Sequence, residues 1–316
     1  MKLLYGTAPE VVRQRTLKNS IHCSGIGVHS GKKVAMTLHP APADSGIVFR
    51  RNDLSSGSEI KAEWHNAIET PLCTTVVNAE GVRCSTVEHL MSAFLGCGID
   101  NAVVELDAVE VPIMDGSAAP FVFLIDCAGS VEQDSPRRAL RILKEVTVID
   151  GERSASLAPD DGFSVHFDID FDSSVVARQS WGGRLCDGVY KREIARARTF
   201  GFLHEVDRLR AMGLARGGSL DNAIVIDGDK IMNEGGLRYP DEFVRHKVLD
   251  SIGDLFLAGG PILGRFHGIR AGHALTLRLL NAVMSDQDAW EWVDLTGAGA
   301  LSGAAVPPVR AVAASA

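Results

Sequence analysis

"IDNAVVELD", residues 99–107, returns with small changes as "LDNAIVIDG", residues 220–228. Asp-Asn-Ala aligns at 100–102 and 221–223, and in each place a helix-like run precedes a strand-like run. A segment that repeats at long distance suggests a duplicated structural unit. It fits an α+β fold with two related halves, each a sheet with helices on one side. A cleft between such halves is a natural place for a site.

The pattern on either side of the echo has the matching order. Strands are predicted over 32–41 and 46–51, a hairpin over 74–84 turning at 78–81, a helix over 85–98, a strand over 100–108 and a helix over 117–129. Strands then follow over 138–150, 152–159 and 163–171, a helix over 199–213, a strand over 221–228 and a helix over 240–260. Between the two sets, "GSVEQDSPRR" (129–138) is polar, contains proline and interrupts the apolar pattern. The expected division is a leader over 1–12, a first domain over 13–130, a linker over 131–138, a second domain over 139–302 and a tail over 303–316. Small residues and two prolines predict that the tail frays.

Composition narrows the function classes. The 316 residues are 46% hydrophobic and 23% charged, ordinary for a globular chain long enough for two cores. A net charge of −8 argues against a nucleic-acid protein, which usually carries a basic face. An anionic small substrate needs only a few local lysines and arginines. The six cysteines form no C-x-x-C pair, which argues against a zinc ribbon and a redox dithiol, and they are too sparse for a disulfide framework. The first residues hold too short an apolar run for a secretory signal, and no stretch approaches the ~20 residues that span a bilayer. The chain is read as a cytoplasmic monomer without a transmembrane segment.

Four stretches carry chemistry. "FVRHKVLDSIGDLF" (243–256) reads as a helix bounded by Pro240-Asp241 and Gly259-Gly260-Pro261, and it stacks His246, Asp250 and Asp254 in one column. A polar stripe, a His–Asp hydrogen bond or a shared metal ion would each account for that column. In "STVEHLMSAFLG" (85–96), Glu88 and His89 point about 100° apart on a helix. They could flank one point in a cleft, or Ser85-x-x-Glu88 could be a capping box. In "RAGHALTLRLL" (270–280), His273 opens a helix, where a nearby carboxylate would hold it as imidazolium. "ARTFGF" (197–202) offers Thr199 and two Phe rings, for a helix cap and core packing or for a site.

Taken in order, "RQRTLKNSIHCSGIGVHSGKKV", "STVEHLMSAFLG", "GIDNAVVELDAVEVPIMDGSAAPFV", "ARTFGF", "GGSLDNAIV", "DEFVRHKVLDSIGDLFL" and "GHALTLRLL" cover most of residues 13–282. This ordered set resembles the UDP-3-O-acyl-N-acetylglucosamine deacetylases, the zinc hydrolases of lipid A biosynthesis. The resemblance implies that His89, His246 and Asp250 bind catalytic Zn2+, with Fe2+ as an alternative occupant. It implies Glu88 as general base, His273 as general acid, Asp254 as the partner orienting His273, and Thr199 as a hydrogen-bond donor to the oxyanion. Phe200 would pack beside the substrate, Lys247 would meet its nucleotide-sugar end, and His29 and the segment around Cys73 would lie near the site. The resemblance also implies the fold: two similar two-layer α/β-sandwich domains facing each other, each with a small insert. The second insert, around 171–194, would form the acyl-chain channel, although Asp172-Ser173 departs from the His-Pro that the family pattern expects there. The substrate implied is UDP-3-O-acyl-N-acetylglucosamine, with no nucleic-acid partner. Competing readings are a metal-dependent amidohydrolase for another acylated amino sugar, a non-catalytic nucleotide-sugar or lipid binder, and a structural protein with polar helix stripes.

Overall fold

The computed structural model describes residues 11–186 and 188–296. The chain enters through β1 (Arg13–Leu17) and builds a main sheet from β2 (Ile21–Ile26), β3 (Lys33–Pro40), β4 (Ile47–Arg51), β5 (Glu59–Lys61) and β9 (Ala102–Leu106), in the order β2-β3-β9-β4-β5. Between β5 and β9 come a small antiparallel sheet, β6 (Ala67–Thr70), β7 (Cys73–Val77) and β8 (Arg83–Ser85), and then helix α1 (Glu88–Cys97). After β9 come α2 (Ala119–Ala128) and β10 (Ser130–Pro136), which pairs antiparallel with β1.

The same plan then runs again. β11 (Arg138–Ile142) leads into β12 (Val146–Asp150), β13 (Arg153–Ala158), β14 (Phe163–Asp170) and β15 (Arg178–Arg184). A second small sheet follows, made of β16 (Phe200–Phe202), β17 (Ile224–Asp227) and β18 (Lys230–Ile231), with α3 (Leu203–Ala211) between its first two strands. Then come α4 (Glu242–Phe256), β19 (Ile262–Ile269), α5 (His273–Ser285) and β20 (Trp290–Asp294), the last antiparallel to β11. β9 lies antiparallel to β3 and parallel to β4, and β19 lies antiparallel to β13 and parallel to β14. β1 meets β9 through a parallel bridge, Thr16 with Asn101, and β11 pairs parallel with the start of β19. The α+β class holds, and the full pairing order is present twice.

The echo that suggested this duplication does not mark equivalent strands. "IDNAVVELD" forms β9 at the centre of a main sheet, whereas "LDNAIVIDG" forms β17 in a small sheet. The counterpart of β9 by pairing is β19, which has no Asp-Asn-Ala. Register depends on alternating burial, and many sequences satisfy the same alternation. β14 illustrates it, with Phe163, Val165, Phe167 and Ile169 buried on one face and the intervening residues more exposed.

Other boundaries also shift. The expected linker is strand β10, because its half-exposed residues complete the edge of β1. The stretch 138–150 is two strands broken at exposed Leu143. The segment 171–194, expected to hold the insert, supplies β15 to the main sheet; the additional sheet and α3 lie later, between residues 200 and 231. Thr199 caps no helix, since α3 begins four residues on, after Phe202. Of the expected leader, Val11 and Val12 contact Thr296 and Leu295, and residues 1–10 lie outside the described residues, as does the tail over 303–316.

What positions the site is the crossing of α1 and α4. α4 is buried almost all round, as expected for a helix packed between β14 and β15 on one side and α1 and α5 on others. Gly253 permits the close approach: a Cβ there would sit 2.0 Å from the Glu88 carbonyl oxygen. The first turn of α1 is thereby pressed against the middle of α4.

Candidate active site

α1 starts abruptly. Thr86, just before it, has φ 58°, a left-handed conformation costly for a β-branched residue. Its hydroxyl donates to Glu110 Oε1 at 3.1 Å, and the Val87 amide bonds the Thr74 carbonyl. Glu88 therefore does not cap the helix with Ser85. Its Oε2 accepts from the Thr74 backbone amide at 3.0 Å, leaving Oε1 toward the cleft.

His89 on α1 meets His246 and Asp250 on α4. All three are buried, at 4%, 3% and 5% exposure. Asp250 Oδ1 lies 3.4 Å from His89 Nε2 and 3.3 Å from His246 Nε2, and the imidazoles stand 5.0 Å apart at 84°. One donor atom from each residue falls within 4.8 Å of the others. Asp250 Oδ1 makes no hydrogen bond although it is buried, which is costly for a carboxylate oxygen without a cation. His246 Nδ1 is 3.1 Å from the Ala197 carbonyl, which fixes the tautomer that leaves Nε2 free. Two imidazole nitrogens and a carboxylate oxygen suit a borderline divalent ion such as zinc.

Electrostatics favour those ligand states. Burial pushes the His246 imidazole down to about 3, so it is neutral. Burial alone would raise the Asp250 carboxyl, but its neighbours His246 and Lys247 hold it well below its ordinary value. Lys247 donates to Asp250 Oδ2 at 2.8 Å; burial lowers its ammonium, and Asp250 reverses that to a net increase.

Beside this trio stands a second group. His273, the first residue of α5, places Nδ1 2.8 Å from Asp254 Oδ2 and Nε2 3.7 Å from Glu88 Oε1. The Thr74 hydroxyl donates to Asp254 Oδ1 at 2.5 Å and lies 3.2 Å from His273 Nδ1. Burial would lower the His273 imidazole, but Asp254 and Glu88 raise it to about 10. Burial pushes the Glu88 carboxyl up to about 7. Thr74 thus touches three groups of the site at once, and no side chain of its type announces that from sequence.

A cavity of about 770 Å³ opens on these residues and is lined by Glu88, His89, Thr199, His246, Asp250 and His273. Its apolar arm runs over Phe200, Phe202, Leu203, Val206, Leu209 and Leu220. Phe200 packs edge-on against Phe243 at 4.9 Å and lies 6.5 Å from the His246 ring. Its charged arm carries Asp150, Arg153, Lys247 and Arg278, and a second cavity of about 570 Å³ shares Arg153 and Lys247 with it. His29 lines the main cavity, its Nδ1 3.4 Å from the Ala215 amide, and burial lowers its imidazole. Cys73 is not on the wall. Its thiol faces Thr70 and Thr75 inside the β6–β7 hairpin, while Leu72 and Thr70 line the cavity.

Comparison with known proteins identifies the family. The family model described as LpxC, UDP-3-O-acyl N-acetylglycosamine deacetylase, matches residues 14–285. The UDP-3-O-acyl-N-acetylglucosamine deacetylase of Acidithiobacillus ferrooxidans is 56% identical over 289 residues, covering 90% of this chain and 94% of that protein. The protein of the same name from Hahella chejuensis is 52% identical over 303 residues, 95% of this chain and all of its own length (100%). That from Marinobacter nauticus is 54% identical over 285 residues, 90% of this chain and 93% of its own. With the match running from β1 to the end of α5 and so including both helices of the crossing, the chain belongs to the UDP-3-O-acyl N-acetylglycosamine deacetylase family.

Proposed function

We propose that this protein removes the N-acetyl group from UDP-3-O-acyl-N-acetylglucosamine, releasing acetate and a 2-amino sugar, as a step of lipid A biosynthesis. The observation that carries the proposal is the meeting of three metal-type donors with a carboxyl and an imidazole whose proton affinities are pushed toward opposite roles. His89, His246 and Asp250 would hold the ion, Zn2+ with Fe2+ as an alternative. When bound, that ion supplies Lewis acidity toward a carbonyl and makes a water nucleophilic near neutral pH.

The remaining roles belong to the chain's own groups. Glu88 accepts the proton of the attacking water at Oε1, since Oε2 is occupied by the Thr74 amide. His273, charged at neutral pH, donates from Nε2 to the departing nitrogen, because an amine anion is too poor a leaving group. Asp254 holds His273 Nδ1, and Thr74 holds Asp254, so the imidazole keeps one orientation. Thr199 donates to the developing oxyanion. Phe200 forms the wall beside the acetamide. The apolar arm takes the acyl chain, Lys247 with Arg153 faces the nucleotide phosphates, and His29 adds to the cavity wall.

The two halves of the chain act as two domains with the site at their seam. A cytoplasmic, monomeric protein is part of the same proposal. Six unpaired cysteines fit a reducing compartment. Among the described residues, no helix is long and apolar enough to cross a membrane.

Acetate release from UDP-3-O-acyl-N-acetylglucosamine, measured with metal content, tests the proposal. Glu88→Ala should keep its metal and lose about 10²-fold or more in turnover. Full activity at normal metal content would remove the base assignment. Equal turnover of acylated amino sugars lacking UDP would remove the substrate assignment.

A further inference from the structure

The face of the second main sheet turned away from the helices carries another set of convergent donors. His166 and Asp168 lie two residues apart on β14, so both project from the face opposite buried Val165 and Phe167. His267 on β19 is the direct cross-strand partner of His166. Asp168 Oδ2 lies 2.9 Å from His267 Nε2 and 3.3 Å from His166 Nε2, and the imidazoles stand 4.7 Å apart at 80°. One donor from each residue falls within 4.8 Å of the others.

This geometry repeats that of His89, His246 and Asp250: the same donor types, one carboxylate oxygen facing two Nε2 atoms, and nearly perpendicular rings. The difference is burial. The side chains of His166, Asp168 and His267 are 37%, 22% and 38% exposed, so positions facing solvent stay open. The neighbouring strand makes room for the cluster. Gly182 on β15 pairs with His166, and a Cβ there would come within 2.6 Å of His166 Nδ1. Ser180 Oγ lies 3.3 Å from His166 Nε2, on the same face.

We propose that His166, Asp168 and His267 form a second metal site, for a borderline divalent transition ion of the Zn2+ type, bridging β14 and β19. Two imidazoles with one carboxylate favour zinc, nickel or copper over magnesium and calcium, which prefer all-oxygen shells. Water completes the coordination on the open side. An ion held across two strands binds the folded chain and not the unfolded one, so it raises the melting temperature.

The test starts from protein already carrying one equivalent of Zn2+. Further Zn2+ is titrated against a chromophoric chelator, and melting is followed with and without the added ion. Wild type should take up a second equivalent, and its melting temperature should rise with added Zn2+. His166→Ala, Asp168→Asn and His267→Ala should each lose the second equivalent and the rise, with deacetylase turnover at one equivalent unchanged. His267→Gln keeps the bulk of the side chain and serves if an alanine variant fails to fold. Failure of wild type to take up a second equivalent overturns the proposal. So does a second equivalent that survives in all the variants. If the cluster is only a hydrogen-bonded pair of histidines around Asp168, the variants lose the same stability with and without Zn2+, and that result also overturns it.

Discussion

Replacing Gly253 with alanine should separate the two helices that carry the proposed metal ligands. The new Cβ would stand 2.0 Å from the Glu88 carbonyl oxygen, 2.8 Å from its carbon and 3.0 Å from its Cα, where ordinary contact begins at 3.4 Å. All three atoms are backbone, so no side chain can swing aside. The first turn of α1 must retreat by about 1.4 Å, and it takes His89 with it. Metal–ligand distances tolerate only about 0.2 Å, so His89 would leave the range that Asp250 and His246 define. Metal affinity should fall about 10- to 100-fold, the effect of disturbing ligand support. Turnover at saturating metal should fall by about 10², the cost of misplacing a reacting group by about 1 Å. Overpacking costs about 1–3 kcal/mol, and alanine returns about 0.5–1 kcal/mol of helix propensity, so the fold should survive with a lowered melting temperature. Competitive metal titration, steady-state kinetics and thermal melting read the three quantities. A Gly253→Ala protein with wild-type affinity and turnover, or one that melts higher, would refute the reasoning that close helix approach assembles the site.

Three further outcomes are expected. Thr74→Val removes the hydroxyl bound to Asp254; kcat should drop about 10- to 100-fold with KM and metal content nearly unchanged, Thr74→Ser should restore it, and an unchanged kcat would reject the positioning role. His89→Ala should purify without stoichiometric metal, and a full equivalent by elemental analysis would remove His89 from the ligand set. The pH profile of kcat/KM should rise as Glu88 loses its proton near 7 and fall as His273 loses its own near 10, because the base must be ionised and the acid protonated. A bound cation favours ionised Glu88 and moves the lower limb to more acid pH, so loss of the upper limb in His273→Gln is the sharper check.

The helical column His246–Asp250–Asp254 was legible in the sequence because a spacing of four residues has one meaning on a helix, and Gly259-Gly260-Pro261 marks where that helix ends. What the column was for was not legible from spacing alone. The partner residues lie in a distant segment, and a neighbouring pair such as Glu88-His89 reads equally well as a cap. The left-handed Thr86 turn decides that question, since it points Glu88 at Thr74 and away from Ser85. Thr74 stayed hidden because a threonine in a buried strand has no local signature, and the nearby Cys73 drew the eye with a thiol that faces inward. The duplication was sensed for a reason that did not hold. Asp-Asn-Ala serves loops of different sheets, whereas the true repeat lies in pairing order, which leaves little trace in residue identity. The apolar arm was hard to place for a related reason. α3 buries none of its residues, and its leucines and valine turn toward an open cavity, so the pattern resembles a surface helix.

Because α1 and α4 belong to different copies of the repeat, the centre comes into being late in the life of each molecule. A ribosome releases His89 with the first main sheet, beside which β1 and β10 pair with each other. His246 and Asp250 emerge only after most of the second sheet has been made. A nascent chain that stops short of α4 therefore carries only His89 of the three proposed ligands. Metal capture at the proposed site would mark finished synthesis.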